Sequence, residues 1–73
     1  VSPRLPVVSG AHVVAALSKA GFEQIGQRGS HVKLRHVDGR IVIVPMHREL
    51  ATGTLRSIIR QAGLSVDEFL ALL

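Results

Sequence analysis

His31, Lys33 and Arg35 alternate with Val32 and Leu34. An extended chain would therefore carry the imidazole and both cations on one side and the two aliphatic side chains on the other. Such a row has a chemistry to offer. Cutting an RNA phosphodiester without a metal needs a group that takes the proton from the ribose 2′-hydroxyl, and cations that stabilise the charged phosphorus intermediate. Histidine, which titrates near neutrality, suits the first role and Lys or Arg the second. Alternating charge is also what an ordinary solvated sheet face shows, and the row alone leaves both readings open. Arg28, Gly29 and Ser30 lead into it, and His47 lies farther along the chain. The Gly29-Ser30 step is a weak candidate for a small anion nest. His31 is the candidate catalytic residue, with Arg28, Ser30, Lys33, Arg35 and His47 the candidate RNA contacts.

The other ionisable residues weigh less. His12 falls in a helix near its cap and takes no role, and His36 belongs to the apolar side of the strand, where a packed or edge-exposed imidazole is expected. The histidines do not have the spacing of zinc ligands on a helix, no carboxylate completes a triad, and cysteine is absent, so no metal or other cofactor is expected. Arg56 and Arg60 span one helical turn and could grip phosphate, although exposed arginines on an amphipathic helix are usually plain surface. Asp67, Glu68 and Glu49 read as cap or surface charges.

The elements that must hold His31 follow from periodicity. Ser9 is a good N-cap for a helix from about Gly10 to Ala20, stopped by Gly21, with Val13, Ala16, Leu17 and Ala20 on one face. Pro3 and Pro6 mark an extended lead-in. From Phe22 the pattern turns to strands: Phe22 to Arg28, His31 to Val37 and Arg40 to Pro45, separated by Arg28-Gly29 and Asp38-Gly39. Both separators are read as two-residue hairpin turns. The second would pair Leu34 with Ile43, Arg35 with Val42 and His31 with Met46, burying Ile41 and Ile43 beside Val32 and Leu34. The first would place Gly26 opposite His31. Met46 to Gly53 reads as a loop, and Thr54 to Ala62 as a helix burying Leu55, Ile58, Ile59 and Ala62. Gly63 ends it, and Ser65 with Glu68 forms a capping box for a short closing helix carrying Val66, Phe69, Leu70 and Leu73 on one stripe. The order α-β-β-β-α-α is that of an α+β two-layer sandwich, with residues 1–73 read as a single domain.

The composition bounds what such a domain can be. A chain of 73 residues has room for one core, and its 47% apolar content closes that core without disulfides. Nine Lys and Arg against five Asp and Glu give a net charge of +4, which favours polyanionic partners. With Phe22 and Phe69 as its aromatics and no Tyr or Trp, the chain lacks the stacking platforms of single-strand readers. No stretch is long and apolar enough for a membrane span, and none reads as a signal peptide, so a cytoplasmic protein without membrane contact is expected.

Several motifs in order carry a family resemblance: Ala20-Gly21-Phe22, Gly29-Ser30-His31, Val44-Pro45-Met46-His47, Gly53-Thr54-Leu55-Arg56-Ser57-Ile58 and Gln61-Ala62-Gly63. From Ser9 to about Leu70 the chain resembles the HicA, or YcfA-like, mRNA interferase toxins. It departs at His12, where an acidic or polar residue is commoner, and at Ala51-Thr52, where Lys or a Pro-containing stretch is. The resemblance implies a fold like the double-stranded RNA-binding domain, ribonuclease activity on mRNA and a catalytic histidine at His31. It also implies a HicB-type antitoxin that covers the active site, the toxin being a monomer alone and oligomeric with its antitoxin. Two other functions fit the same charge: a module that binds structured RNA without cutting it, and an interaction subunit for an acidic protein.

Overall fold

The computed structural model describes residues 4–73. Pro3, part of the expected lead-in, lies outside them. The elements are α1 (Gly10–Lys19), β1 (Phe22–Arg28), β2 (His31–His36), β3 (Ile41–Pro45), α2 (Thr52–Gln61) and α3 (Val66–Leu72). The strands form one antiparallel sheet in the order β1-β2-β3. This is the α+β, α-β-β-β-α architecture of a two-layer sandwich like the double-stranded RNA-binding domain, with α3 added at the end.

Each helix begins for a local reason. The Ser9 side chain accepts the His12 backbone N–H at 3.1 Å and caps α1. At α3, Ser65 and Glu68 satisfy one another's backbone donors in a full capping box. α2 starts at Thr52, two residues before the expected Thr54, from an extended Ala51 that makes no side-chain cap. That early start shortens the loop read from Met46 to Gly53.

The helices cover one face of the sheet. Val13 and Leu17 of α1, Leu55 and Ile58 of α2 and Phe69 of α3 close over Val32 and Leu34 of β2 and Val42 and Val44 of β3. Burying a side chain the size of Leu or Phe is worth about 1.5–3 kcal/mol, so this set dominates the stability of a small fold. The cover stops short of β1. Phe22 is buried at its start, but every residue from Glu23 to Ser30 is exposed, so the β1–β2 hairpin projects beyond the helical layer.

Both hairpins differ from the two-residue turns expected at Arg28-Gly29 and Asp38-Gly39. In the β2–β3 turn His36 N–H donates to Arg40 carbonyl and Gly39 N–H to His36 carbonyl, each at 2.9 Å. The loop is therefore Val37-Asp38-Gly39, a turn completed by a glycine at φ +99°, the usual three-residue hairpin connection. The extra residue shifts the pairing by one. His31 lies opposite Pro45 rather than Met46, Leu34 opposite Val42 rather than Ile43, and Arg35 opposite Ile41 rather than Val42. Val42 and Val44 are thus the buried pair, while Ile41 and Ile43, expected in the core, are 38% and 40% exposed.

Side-chain chemistry explains the longer turn. The Asp38 carboxylate accepts from the Arg40 backbone N–H and from its Nε, and Asp38 N–H donates to His36 Nδ1. His36 packs edge-on against Phe22 at 5.2 Å between ring centroids, and the Arg40 guanidinium lies over the same ring. Arg40 also donates to the Ala62 carbonyl at the end of α2. The turn is therefore tied to the sheet and to a helix.

In the first hairpin, Arg28 pairs with His31, and the turn is Gly29-Ser30. Positive φ is confined to its first residue, Gly29 at +58°, as in a type II′ turn. Gly26 lies opposite Lys33, not His31 as expected, because the turn falls one residue later than Arg28-Gly29; farther from the turn the register shifts between Gln24 and Gly26 and leaves Ile25 as the extra residue of a bulge.

Candidate functional site

The exposed face of the sheet carries the site. Residues directly opposite in an antiparallel pair share a face, so Arg28 joins His31, Gly26 joins Lys33, and Glu23 joins Arg35 on the side away from the helices. Pro45, Ile43 and Ile41 complete that side from β3. His31, Lys33 and Arg35 are exposed, as the alternation with buried Val32 and Leu34 requires. The one-residue shift of β3 leaves their orientation unchanged, because the alternation of β2 fixes it.

The Gly29-Ser30 turn pairs Arg28 with His31, and the Ile25 bulge reconciles that place with the buried start of β1. Uninterrupted alternation from buried Phe22 would turn Arg28 toward the helix side; the extra residue reverses the phase after Gln24 and brings Arg28 to the His31 side. Gln27, which belongs to no motif, steadies the tip by donating from Nε2 to the Gly29 carbonyl at 3.1 Å.

The turn is also anchored to the far end of β3. Ser30 carbonyl accepts Met46 N–H at 2.6 Å, and His47 carbonyl accepts Gly10 N–H at 2.9 Å. Two backbone bonds thus string the β1–β2 turn, the His47 segment and the first residue of α1 together. Gly10 allows this approach: a Cβ there would fall onto the Pro45 carbonyl oxygen and lie 2.8 Å from Met46 Cα. Ser30 acts in the anchor through its carbonyl. His47 is exposed and lies just past the strand end that faces His31.

The expected residues therefore divide. Arg28, Ser30, His31 and Lys33 gather at the hairpin end, with His47 on the adjoining segment. Arg35 shares the face but stands four residues from His31, about 13 Å along the strand, and lies opposite the carboxylate-bearing Glu23. Exposed Arg56 and Arg60 are on α2, in the helical layer behind the sheet. His36 is occupied in the β2–β3 turn, 3.1 Å from Asp38. Asp38, gripped chiefly by the Arg40 guanidinium and then by the Arg40 backbone N–H, is held down to about 2. Among the described residues no three His, Asp or Glu side chains converge as a metal site, and no helix is long and apolar enough to cross a membrane.

The arrangement offers one exposed imidazole with Arg28 across the ladder from it and Lys33 one same-face step along β2. Such a site suits a backbone phosphate better than a small enclosed substrate.

Known proteins agree with this architecture. No curated protein matches the chain. A solved toxin-antitoxin complex from Streptococcus pneumoniae contains a similar chain, 33% identical, with a TM-score of 0.69, over 78% of this chain and 98% of that one. The family described as HicA toxin of bacterial toxin-antitoxin matches residues 10–64, a stretch that holds α1, the whole sheet and α2 and stops before α3. With most of its length matched and the fold in agreement, the chain belongs to the HicA toxin family.

Proposed function

We propose that this HicA-family toxin is a metal-independent endoribonuclease acting on mRNA, with His31 as the catalytic residue. The observation that carries the reading is the placement of exposed His31 directly opposite Arg28 and one same-face step from Lys33. His31 takes the proton from the 2′-hydroxyl, whose oxygen attacks the adjacent phosphorus. Arg28 and Lys33 stabilise the negative charge that builds on the phosphoryl oxygens. The bond from phosphorus to the 5′-oxygen breaks and that oxygen takes a proton from water at the open site, giving 2′,3′-cyclic phosphate and 5′-hydroxyl ends. Ser30, Arg35 and His47 contribute contacts to the RNA backbone.

The partner in this reading is an acidic HicB-type antitoxin that covers the exposed sheet face. The net charge of +4 and the cations flanking His31 support it, and so does the likeness to a chain from a toxin-antitoxin complex. The toxin alone is a monomer that assembles into an oligomer with its antitoxin, in the cytoplasm where its mRNA substrate is made.

The test is cleavage of a long mRNA in EDTA by wild type and His31→Ala at equal folded concentration. The expected result is cutting by wild type alone, with cyclic-phosphate ends and a loss on the order of a hundredfold or more in the variant. Equal cutting by both would move the chemistry away from His31. RNA binding without cutting by either would favour a non-catalytic structured-RNA-binding module, and 5′-phosphate ends would sink the 2′-hydroxyl mechanism.

A further inference from the structure

The outer edge of β3 is built to accept another strand. His36 N–H bonds to Arg40 carbonyl, and Met46 N–H to Ser30 carbonyl, so the even-numbered residues of β3 address β2. By the alternation of an antiparallel ladder, the backbone groups of Ile41 and Ile43 then point away from the sheet. Neither of their N–H groups has a backbone partner in another loop or element among the described residues. Their side chains are exposed on the same face as His31, Lys33 and Arg35.

Sheet edges in free-standing proteins are usually blunted by charge, proline or a bulge. From Ile41 to Val44 this edge has none of these, and Pro45 comes only at its end. Four consecutive β-branched residues instead make it an effective pairing template.

We infer that this edge is covered by an extended segment of the acidic antitoxin, added to the sheet beside β3; the inference rests on the antitoxin partner of the preceding section and adds the way it docks. Charge selects this occupant over a second copy of the chain. Two copies paired through β3 would set two surfaces of net charge +4 side by side, each with Lys33 and Arg35 one strand in from the joint. An acidic partner turns the same cations into attractions. The added strand would bond to the Ile41 and Ile43 backbone and lay apolar side chains against the two isoleucines. It would also carry the partner's acidic surface toward Lys33 and His31, so that strand addition and closure of the active site are one event.

The test is amide hydrogen exchange at β3 of the whole chain, alone and with the acidic HicB-type antitoxin of the preceding section, together with complex formation by two variants. In the free protein the Ile41 and Ile43 amides should exchange fast while Val42 and Val44 are protected. In the complex the two isoleucine amides should slow on the order of a hundredfold or more. Ile43→Pro removes an N–H that points away from β2, a loss an edge strand tolerates, and should abolish the complex while mRNA cleavage persists. Ile43→Thr, which keeps the N–H, should retain the complex. A complex with Ile41 and Ile43 still unprotected, or one equally weakened by Pro and Thr, overturns strand addition while leaving the antitoxin reading intact. Protection that appears in the free protein as its concentration rises would assign the edge to a second copy. No complex at all would remove the inference together with the antitoxin reading, and RNA cleavage, measured separately, would still judge His31.

Discussion

Arg28 and His31 face each other as the last pair of the β1–β2 ladder before the Gly29-Ser30 turn, and the bulge at Ile25 lets the same strand bury Phe22 at its other end. The pairing fixes a cation beside the imidazole without help from a loop. In the proposed mechanism Arg28 stabilises charge formed during the reaction, so Arg28→Ala should lower kcat for RNA cleavage by about tenfold to a hundredfold. That is below the full loss seen for a buried oxyanion donor, because this site is open to water. Arg35→Ala, about 13 Å away along the strand, should raise KM and leave kcat nearly unchanged. Steady-state cleavage of a defined RNA separates the two; equal effects on kcat would deny Arg28 its special place.

Gly10 sets how closely α1 approaches the segment behind the active site. A methyl group at this position collides with the Pro45 carbonyl and the Met46 backbone, neither of which can move without disturbing the bond between Ser30 and Met46. Gly10→Ala should therefore cost about 1–3 kcal/mol, the range for overpacking. For a chain of this size that is a fall in Tm of roughly 4–8 °C per kcal/mol. Activity measured well below the Tm should also drop, since His47 and the turn move with the strand end. A variant as stable as wild type would show that the contact is not tight.

Much of this could be read from the sequence, and the exceptions have identifiable causes. The face of β2 was legible because Val32 and Leu34 alternate with His31, Lys33 and Arg35. The face of β3 was not, because Ile41-Val42-Ile43-Val44 offers an apolar residue at every position and either register buries two of them. The choice was made outside the strand, by Asp38 and Arg40 in the turn. Arg28 was named from its charge and neighbours, but its place opposite His31 depended on the turn falling at Gly29-Ser30 and not at Arg28-Gly29, with the Ile25 bulge, which no residue type announces, reconciling that register with a buried Phe22.

The register of β3 can be tested by truncation. Val42 is fully buried and Ile43 is 40% exposed. Val42→Ala removes two buried methyl groups and leaves a cavity, so it should cost about 1.5–3 kcal/mol, whereas Ile43→Ala, which removes more atoms, should cost less than about 1 kcal/mol. Urea unfolding of the two variants measures the difference. The reverse order would restore the two-residue turn at Asp38-Gly39 and bury the isoleucines.

The β2–β3 turn should leave a mark on the acid limb of stability. Asp38 is held below its ordinary 3.8, at about 2, first by the Arg40 guanidinium and then by the Arg40 backbone N–H. A carboxylate whose folded-state value is depressed binds its proton less readily in the fold than in the unfolded chain. Its contribution is therefore fully present above the unfolded value and is lost as pH falls through the folded one. Asp38→Asn keeps the shape and removes the charge, so its Tm should lie below wild type at pH 7. The gap should narrow between pH 3.8 and about 2 and be nearly closed below that, where wild type is protonated too. Glu68, also held low by its capping bonds to Ser65, titrates in both proteins and cancels in the comparison. Because this turn dictates which residues of β3 face β2, the same variant should speed exchange of the Val42 amide more than that of Lys33, whose N–H addresses β1. Uniform acceleration across the sheet would mean that Asp38 contributes global stability and does not hold the register.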